Sequence, residues 1–195
     1  MSFFKKLFSS PKPEQPKRTN LEFENLPVEQ VFVKKFVENQ GKFLYCTSLA
    51  EVTENIANII KENSWEEIVC NDYDLQKLIK SVKVKTSEKL NNKKPLFVSC
   101  EHLIAENGSI LFSSNQLKDS KISELSENFI VYATTSQLVK TKGESLAGIK
   151  TRYKGNIPSN ISAIKRFNPS SKDDDFMSYG NTNSKNLYLL LFEDL

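Results

Sequence analysis

The stretch that decides the fold is residues 42–70, KFLYCTSLAEVTENIANIIKENSWEEIVC. Lys42 to Cys46 reads as a short strand. Ser48-Leu49-Ala50-Glu51 is a capping box, in which the serine hydroxyl and the glutamate carboxylate satisfy free amides of a first helical turn. Leu49, Val52, Ile56 and Ile59 then form an apolar stripe at helical spacing that ends near Asn63. Glu67 to Asn71 is a second strand, around Ile68, Val69 and Cys70. Strand, helix and strand in this order call for a crossover connection, and crossovers build parallel sheets.

The flanks repeat the pattern. Upstream, Pro27 opens a helix carrying Val28, Val31, Phe32 and Phe36, which Gly41 stops. Downstream, Asp74 is the expected cap of a helix with Leu75, Leu78 and Ile79. Lys80 to Lys94 is basic, but no aromatic residue interleaves with its lysines, so it reads as a solvated loop or edge strand. Pro95 to Cys100 is a strand. Asn107-Gly108 between two apolar runs is a hairpin signal. Asn128 to Ala133 reads as a strand, Glu144 to Tyr153 as a helix and Asn160 to Phe167 as a weak strand. Leu187 to Phe192 is a continuous apolar run, which suits a strand buried on both faces. The expectation is a three-layer α/β/α domain over residues 27–195, with a mostly parallel sheet and helices on both faces.

Residues 1–26 read as a separate tail. Pro11, Pro13 and Pro16 mark an extended linker, and Phe3, Phe4, Leu7 and Phe8 fit one face of a short amphipathic helix. That face suits an anchor on a membrane surface or a partner, or packing on its own domain.

The 195 residues fit one domain plus this tail. A net charge of +3, from 27 basic and 24 acidic residues, is too small for a nucleic-acid footprint. No apolar run approaches the roughly 20 residues that span a bilayer. Cys46, Cys70 and Cys100 follow no secretory signal, so reduced thiols in a cytoplasmic protein are expected. Each sits at a strand end. With His102 they could in principle hold zinc, but no Cys-x-x-Cys pair is present and no metal is expected. With 6 Gly and no phosphate-cradling loop, no nucleotide cofactor is expected either. His102, the single histidine, has no identifiable catalytic partner in the sequence.

Three segments carry a family resemblance. They are Ala105-Glu106-Asn107-Gly108-Ser109, the run from Asn168 through Pro169, Ser170, Ser171 and Lys172 to Asp174, and Gly180 through Leu191. Together with the order of elements over 27–195, they resemble the LUD (lactate-utilisation) domain. That family lies on the scaffold shared by glucosamine-phosphate deaminase, ribose-phosphate isomerase and CoA transferase. The second segment keeps the family's Pro169, Ser170 and Asp174, and the third keeps Gly180, with Thr182 where the family has histidine. The resemblance implies a small anionic metabolite or iron–sulfur lactate-oxidation partners. It does not specify an oligomeric state.

Glu106-Asn107-Gly108 also resembles the Glu-Asn-Gly triplet of class I CoA transferases, whose glutamate attacks an acyl thioester. Glu106 is therefore the candidate catalytic residue. Asn107, Gly108, Ser109, Pro169, Ser170, Ser171, Lys172, Asp174 and Gly180 are candidate ligand-binding residues. Ser170, Ser171 and Lys172 suit an anion, whereas Asp173, Asp174 and Asp175 would oppose one or attract a divalent cation. Glu106 is expected to face a crevice at the carboxyl ends of the strands, near the loop 168–175. The leading reading is an accessory or anion-binding LUD protein. The alternatives are an isomerase- or transferase-like enzyme using Glu106, and an adaptor attached through residues 1–10.

Overall fold

The computed structural model describes residues 26–168 and 183–194. The tail with Phe3, Phe4, Leu7 and Phe8, and the candidate residues Pro169, Ser170, Ser171, Lys172, Asp174 and Gly180, lie outside the described residues.

The chain begins with helix α1 (Val28–Glu38), strand β1 (Lys42–Cys46), helix α2 (Leu49–Glu62), strand β2 (Glu67–Val69) and helix α3 (Tyr73–Leu78). Strands β3 (Lys85–Ser87), β4 (Leu96–Ser99), β5 (His102–Ile104) and β6 (Ser109–Phe112) follow, then the short helix α4 (Ser114–Leu117). Strand β7 (Asn128–Thr134), strand β8 (Leu138–Val139), helix α5 (Lys142–Arg152), strand β9 (Ser162–Ile164) and strand β10 (Asn186–Phe192) complete it.

Six strands form a sheet in the order β1-β10-β7-β4-β2-β3, with every pair parallel. The apolar run at the end of the chain occupies the second position, paired on both sides, and Leu187 to Leu191 are all buried. One face is covered by Val52, Ile56 and Ile59 of α2 and Leu75 of α3, which pack on Phe97, Ile130 and Leu190. The other is covered by Phe32, Val33 and Phe36 of α1, together with Leu103, Ile110 and Ile164 of a second, smaller sheet. The smaller sheet has the order β8-β5-β6-β9, and Ile149 of α5 packs on its outer face beside Ile104 and Leu111. The result is a three-layer α/β/α fold with a small, largely antiparallel sheet inserted in one layer.

The local signals hold where chemistry fixed them. Ser48 Oγ accepts from the Glu51 amide at 3.2 Å, while the Glu51 carboxylate takes the Thr47 amide at 2.7 Å. The cap of α3 is Asp72 rather than Asp74: its Oδ1 accepts the amides of Asp74 and Leu75, and the helix starts two residues earlier than expected. The hairpin around Asn107-Gly108 forms, with His102 paired to Leu111. Lys80 to Lys94 yields only the exposed edge strand β3.

Candidate functional site

At the carboxyl ends of the large sheet, the chain leaves β2 toward β3 and β4 toward β7. The gap between β2 and β4 is therefore a topological switch point, where open α/β sheets usually hold ligands. Here it is filled by polar groups that satisfy one another. Ser99 Oγ donates to Asp72 Oδ2 at 3.3 Å, and Asn71 donates to the Gln116 carbonyl at 3.2 Å.

Just past β4 lies Glu101, fully buried. Its Oε1 accepts from Ser113 Oγ (2.6 Å), Asn115 Nδ2 (3.1 Å) and Gln116 Nε2 (3.2 Å). Its Oε2 accepts from the Tyr153 hydroxyl (3.1 Å) and the Arg152 guanidinium (3.3 Å). Burial works to raise the pKa of this carboxyl, but the hydrogen bonds from Ser113, Asn115, Gln116 and Tyr153 outweigh it, and the pKa is lowered. A carboxylate so fully occupied ties α4 and α5 to the sheet. It has no lone pair to spare for a substrate.

His102 beside it is 5% exposed. Its Nδ1 lies 3.3 Å from the Gln137 carbonyl, while its Nε2 has no partner and faces Gly148 of α5. Burial lowers its pKa below the ordinary 6.5, which favours the neutral ring. The sequence signal for Glu101 was an acid inside the apolar run Val98 to Ala105, where a charge survives only if it is fully paired.

The candidate turn Glu106-Asn107-Gly108 lies toward the opposite end. Strand β5 departs from the end of β4 and runs back over the sheet face, so the turn meets the corner between α1 and β1. Asn39 Nδ2 donates to the Asn107 carbonyl at 2.8 Å. A Cβ on Gly108 (φ +66°) would stand 2.6 Å from the backbone of Lys35 and Phe36. Glu106 is exposed, and its amide donates to the Lys140 carbonyl at 3.0 Å. It thus stands on the amino-end side of the sheet, not at the carboxyl ends as expected. Ser109 is buried, and its hydroxyl has no hydrogen-bond partner.

Of the loop 168–175 expected near this turn, only Asn168 is among the described residues. The same corner that holds Asn107 accepts the Phe167 amide on the Asn39 carbonyl (3.1 Å) and Asn168 Nδ2 on Gln40 Oε1 (2.6 Å). Asn168 also lines a polar cleft of about 670 Å³ at the amino ends of β7 and β10. Its walls are stitched together by backbone bonds from Lys185 to Arg166 (3.1 Å), Asn186 to Glu127 (2.8 Å) and Ser126 to Asn91 (3.2 Å).

Among the described residues, Lys93, Arg166 and Lys185 line this cleft together with the acid Glu127. Lys185 is 4% exposed, with Nζ donating to the Leu125 carbonyl at 2.9 Å and lying 5.6 Å from the Phe129 ring centroid. The Ser184 hydroxyl, also on the cleft wall, is buried without a hydrogen-bond partner. Sequence reasoning missed Lys185. The one available signal was a lysine directly before a strand buried on both faces. A larger groove of about 970 Å³ follows the outside of α2, but it is lined chiefly by Ala50, Ala57, Ile60, Trp65 and Val82 and gathers no set of like-charged groups.

Cys46, Cys70 and Cys100 are free and buried. Burial raises all three pKa values, that of Cys70 to about 11. Among the described residues, no group of three or more His, Cys, Asp or Glu side chains could hold a metal ion, and no helix is long and apolar enough to cross a membrane.

The fold is similar to that of a DUF162 family protein from Deinococcus radiodurans, with a TM-score of 0.60 at 13% identity. The match covers 85% of this chain and 96% of that one, and it is a likeness of fold. No curated protein matches the chain. The LUD domain model matches residues 29–192, which takes in the whole six-stranded sheet and all three resembling segments. The chain therefore belongs to the LUD domain family.

Proposed function

We propose that this LUD-domain protein is an accessory, anion-binding member of lactate utilisation, which holds a small organic anion in the cleft at the amino ends of β7 and β10. The observation that carries this reading is a pair on the cleft wall, the Ser184 hydroxyl without a hydrogen-bond partner beside the buried Lys185. A small carboxylate would face a lysine and give that hydroxyl an acceptor. The family resemblance supports the same place. Segment 105–109 and Asn168 share the corner Asn39–Gln40, and the strand of the third segment starts at the cleft. An exposed Glu106 does not favour covalent chemistry, because a carboxylate nucleophile needs a dry, preorganised surround. Iron–sulfur lactate-oxidation proteins are the proposed partners, in the cytoplasm.

A thermal-shift series with lactate, pyruvate, acetate and phosphate at low ionic strength tests the reading. A ligand at 100 times its Kd stabilises by about 2.7 kcal/mol, enough to read clearly. The expected result is a saturable rise in Tm for at least one carboxylate, lost when Lys93 and Arg166 are both changed to Ala. No shift with any of the four at concentrations up to tens of millimolar, roughly the range of a weak metabolite site, would reject it.

A further inference from the structure

We propose that strand β3 and the lysines around it form a docking surface for an extended acidic segment of a partner protein, which adds to the six-stranded sheet as a further strand. This inference is independent of the anion cleft.

Among the described residues, β3 is the last strand of its sheet and pairs on one side only, with β2. The Lys85 amide donates to the Glu66 carbonyl at 3.1 Å, and the Ser87 carbonyl accepts from the Cys70 amide at 2.8 Å. Lys85 and Ser87 therefore turn their peptide groups inward. The residue between two such residues turns its own groups outward, so the N–H and C=O of the exposed Thr86 face away from β2. A strand laid beside β3 would pair with them.

The charge around this edge selects the kind of strand. Residues 77–89 contain Lys77, Lys80, Lys83, Lys85 and Lys89, all exposed, against the single acid Glu88. The whole chain has a net charge of only +3, so positive charge is concentrated here. Lys77 is matched by Asp74 at 2.8 Å, whereas Lys80, Lys83 and Lys89 make no ion pair among the described residues. Lysines on an edge repel the same edge of a second copy, which disfavours pairing of β3 with itself. A strand bearing Asp or Glu meets attraction instead. Nucleic acid and anionic lipid are drawn to lysines too, but neither carries the N–H and C=O groups that match Thr86.

A place for an anchor lies beside the edge. A cleft of about 440 Å³ is lined by Thr86, by the apolar side chains of Ile79, Val82 and Val84, and by Tyr73 and Lys80. Tyr73 is 72% exposed, and the Lys77 ammonium stands 4.2 Å from its ring centroid. A strand beside β3 sends alternate side chains to this face. One bulky apolar residue among the acids would enter the cleft, and acids further along would meet the lysines of the edge.

The test uses the full chain and the fluorescein-labelled peptide Glu-Val-Glu-Phe-Glu-Val-Glu, followed by fluorescence anisotropy. The expected result is a Kd below about 100 μM at low ionic strength, weakening as salt is raised. K80E with K83E should weaken binding at least about tenfold. The same peptide N-methylated at its central amides keeps its charge but cannot pair as a strand, and it should not bind. Hydrogen exchange at the Thr86 amide should slow at least about tenfold when the first peptide is saturating. No binding of the first peptide, equal binding of the methylated one, or unchanged exchange at Thr86 would each overturn the proposal. So would tighter binding of single-stranded oligothymidine or of phosphatidylserine vesicles than of the peptide. The methylated peptide leaves the protein unaltered, so it decides the matter even where the double variant fails to fold.

Discussion

Replacing Glu101 by Gln keeps the side-chain volume and removes the charge, so it isolates what the buried carboxylate contributes. Five side chains donate to it. Asn115 and Arg152 are exposed and can turn to water, so their loss costs little. Ser113 and Gln116 are buried and Tyr153 is half-buried, and these three carry the penalty. Hydrogen bonds to a charged acceptor are roughly twice as strong as neutral ones, so each weakens by about 0.5–1.5 kcal/mol. The new amide also presents N–H groups where Arg152 and Tyr153 already donate. Relief of the cost of burying a charge offsets part of this, leaving about 2–4 kcal/mol of destabilisation. For a domain of this size that is a fall in Tm of roughly 4–16 °C. Urea titration should show a lower midpoint with an unchanged m-value, since the unfolded surface is the same. R152A should cost under about 1 kcal/mol, because the Arg152 side chain is 47% exposed. If E101Q is as stable as the wild type, or R152A costs as much as E101Q, the account of this carboxylate as an internal organiser is wrong.

Three further outcomes follow from the same geometry. His102 is the single histidine, and its folded pKa lies below the ordinary 6.5. Stability should be at its full value above that pH and fall as pH drops through 6.5, where only the unfolded chain takes up the proton. The slope approaches but does not exceed about 1.4 kcal/mol per pH unit, and H102Q should flatten it in denaturation measured between about pH 7 and 5.5. Gly108→Ala places a Cβ against the backbone of α1 at a positive φ, so a loss of about 2–4 kcal/mol is expected in urea unfolding. Glu106→Gln alters an exposed side chain and should shift stability by less than about 0.5 kcal/mol; any larger change in anion-induced Tm rise would then report on the site rather than on folding.

The elements that could be read from the sequence are those fixed by neighbours in the chain. The Ser48 cap, the α2 stripe from Val52 to Ile59 and the doubly buried β10 each follow from a pattern a few residues long and stand in the structure, whereas Leu49, expected in the same stripe, is exposed at the first turn. The small sheet was only half legible. Its central hairpin is local, but β8 and β9 are two and three residues long and join it through pairings to Leu103 and Leu111 that no local pattern announces. The end of the sheet reached by Glu106 was illegible for the same reason. The Asn-Gly turn specifies a reversal, whereas the path of β5 is set by its parallel pairing with β8 and by close packing on Lys35 and Phe36. Lys185 escaped notice because burial of a lysine depends on Leu125 and Phe129, which lie far from it in sequence.

The two ends of the sheet differ in how far their polar groups are satisfied, and this is what separates scaffold from site. At the carboxyl ends Asp72, Glu101 and Asp194 are each matched to donors within the fold. Asp194, for example, accepts from Thr135 Oγ1 and Ser136 Oγ at 2.6 Å each, bonds strong enough to hold its pKa at about 2 against the opposing effect of burial. A ligand arriving there would have to displace bonds already made, and binding would return little net free energy. At the amino ends the buried hydroxyls of Ser109 and Ser184 lack hydrogen-bond partners, the latter on a cleft wall beside the buried Lys185. A group that supplies acceptors to those hydroxyls gains interactions without breaking any. The usual preference of open α/β sheets for the carboxyl end comes from unpaired groups at strand ends and helix starts. In this chain Asp72, Ser48 and Ser113 cap those helix starts with their own side chains, so the source of that preference is used up inside the fold.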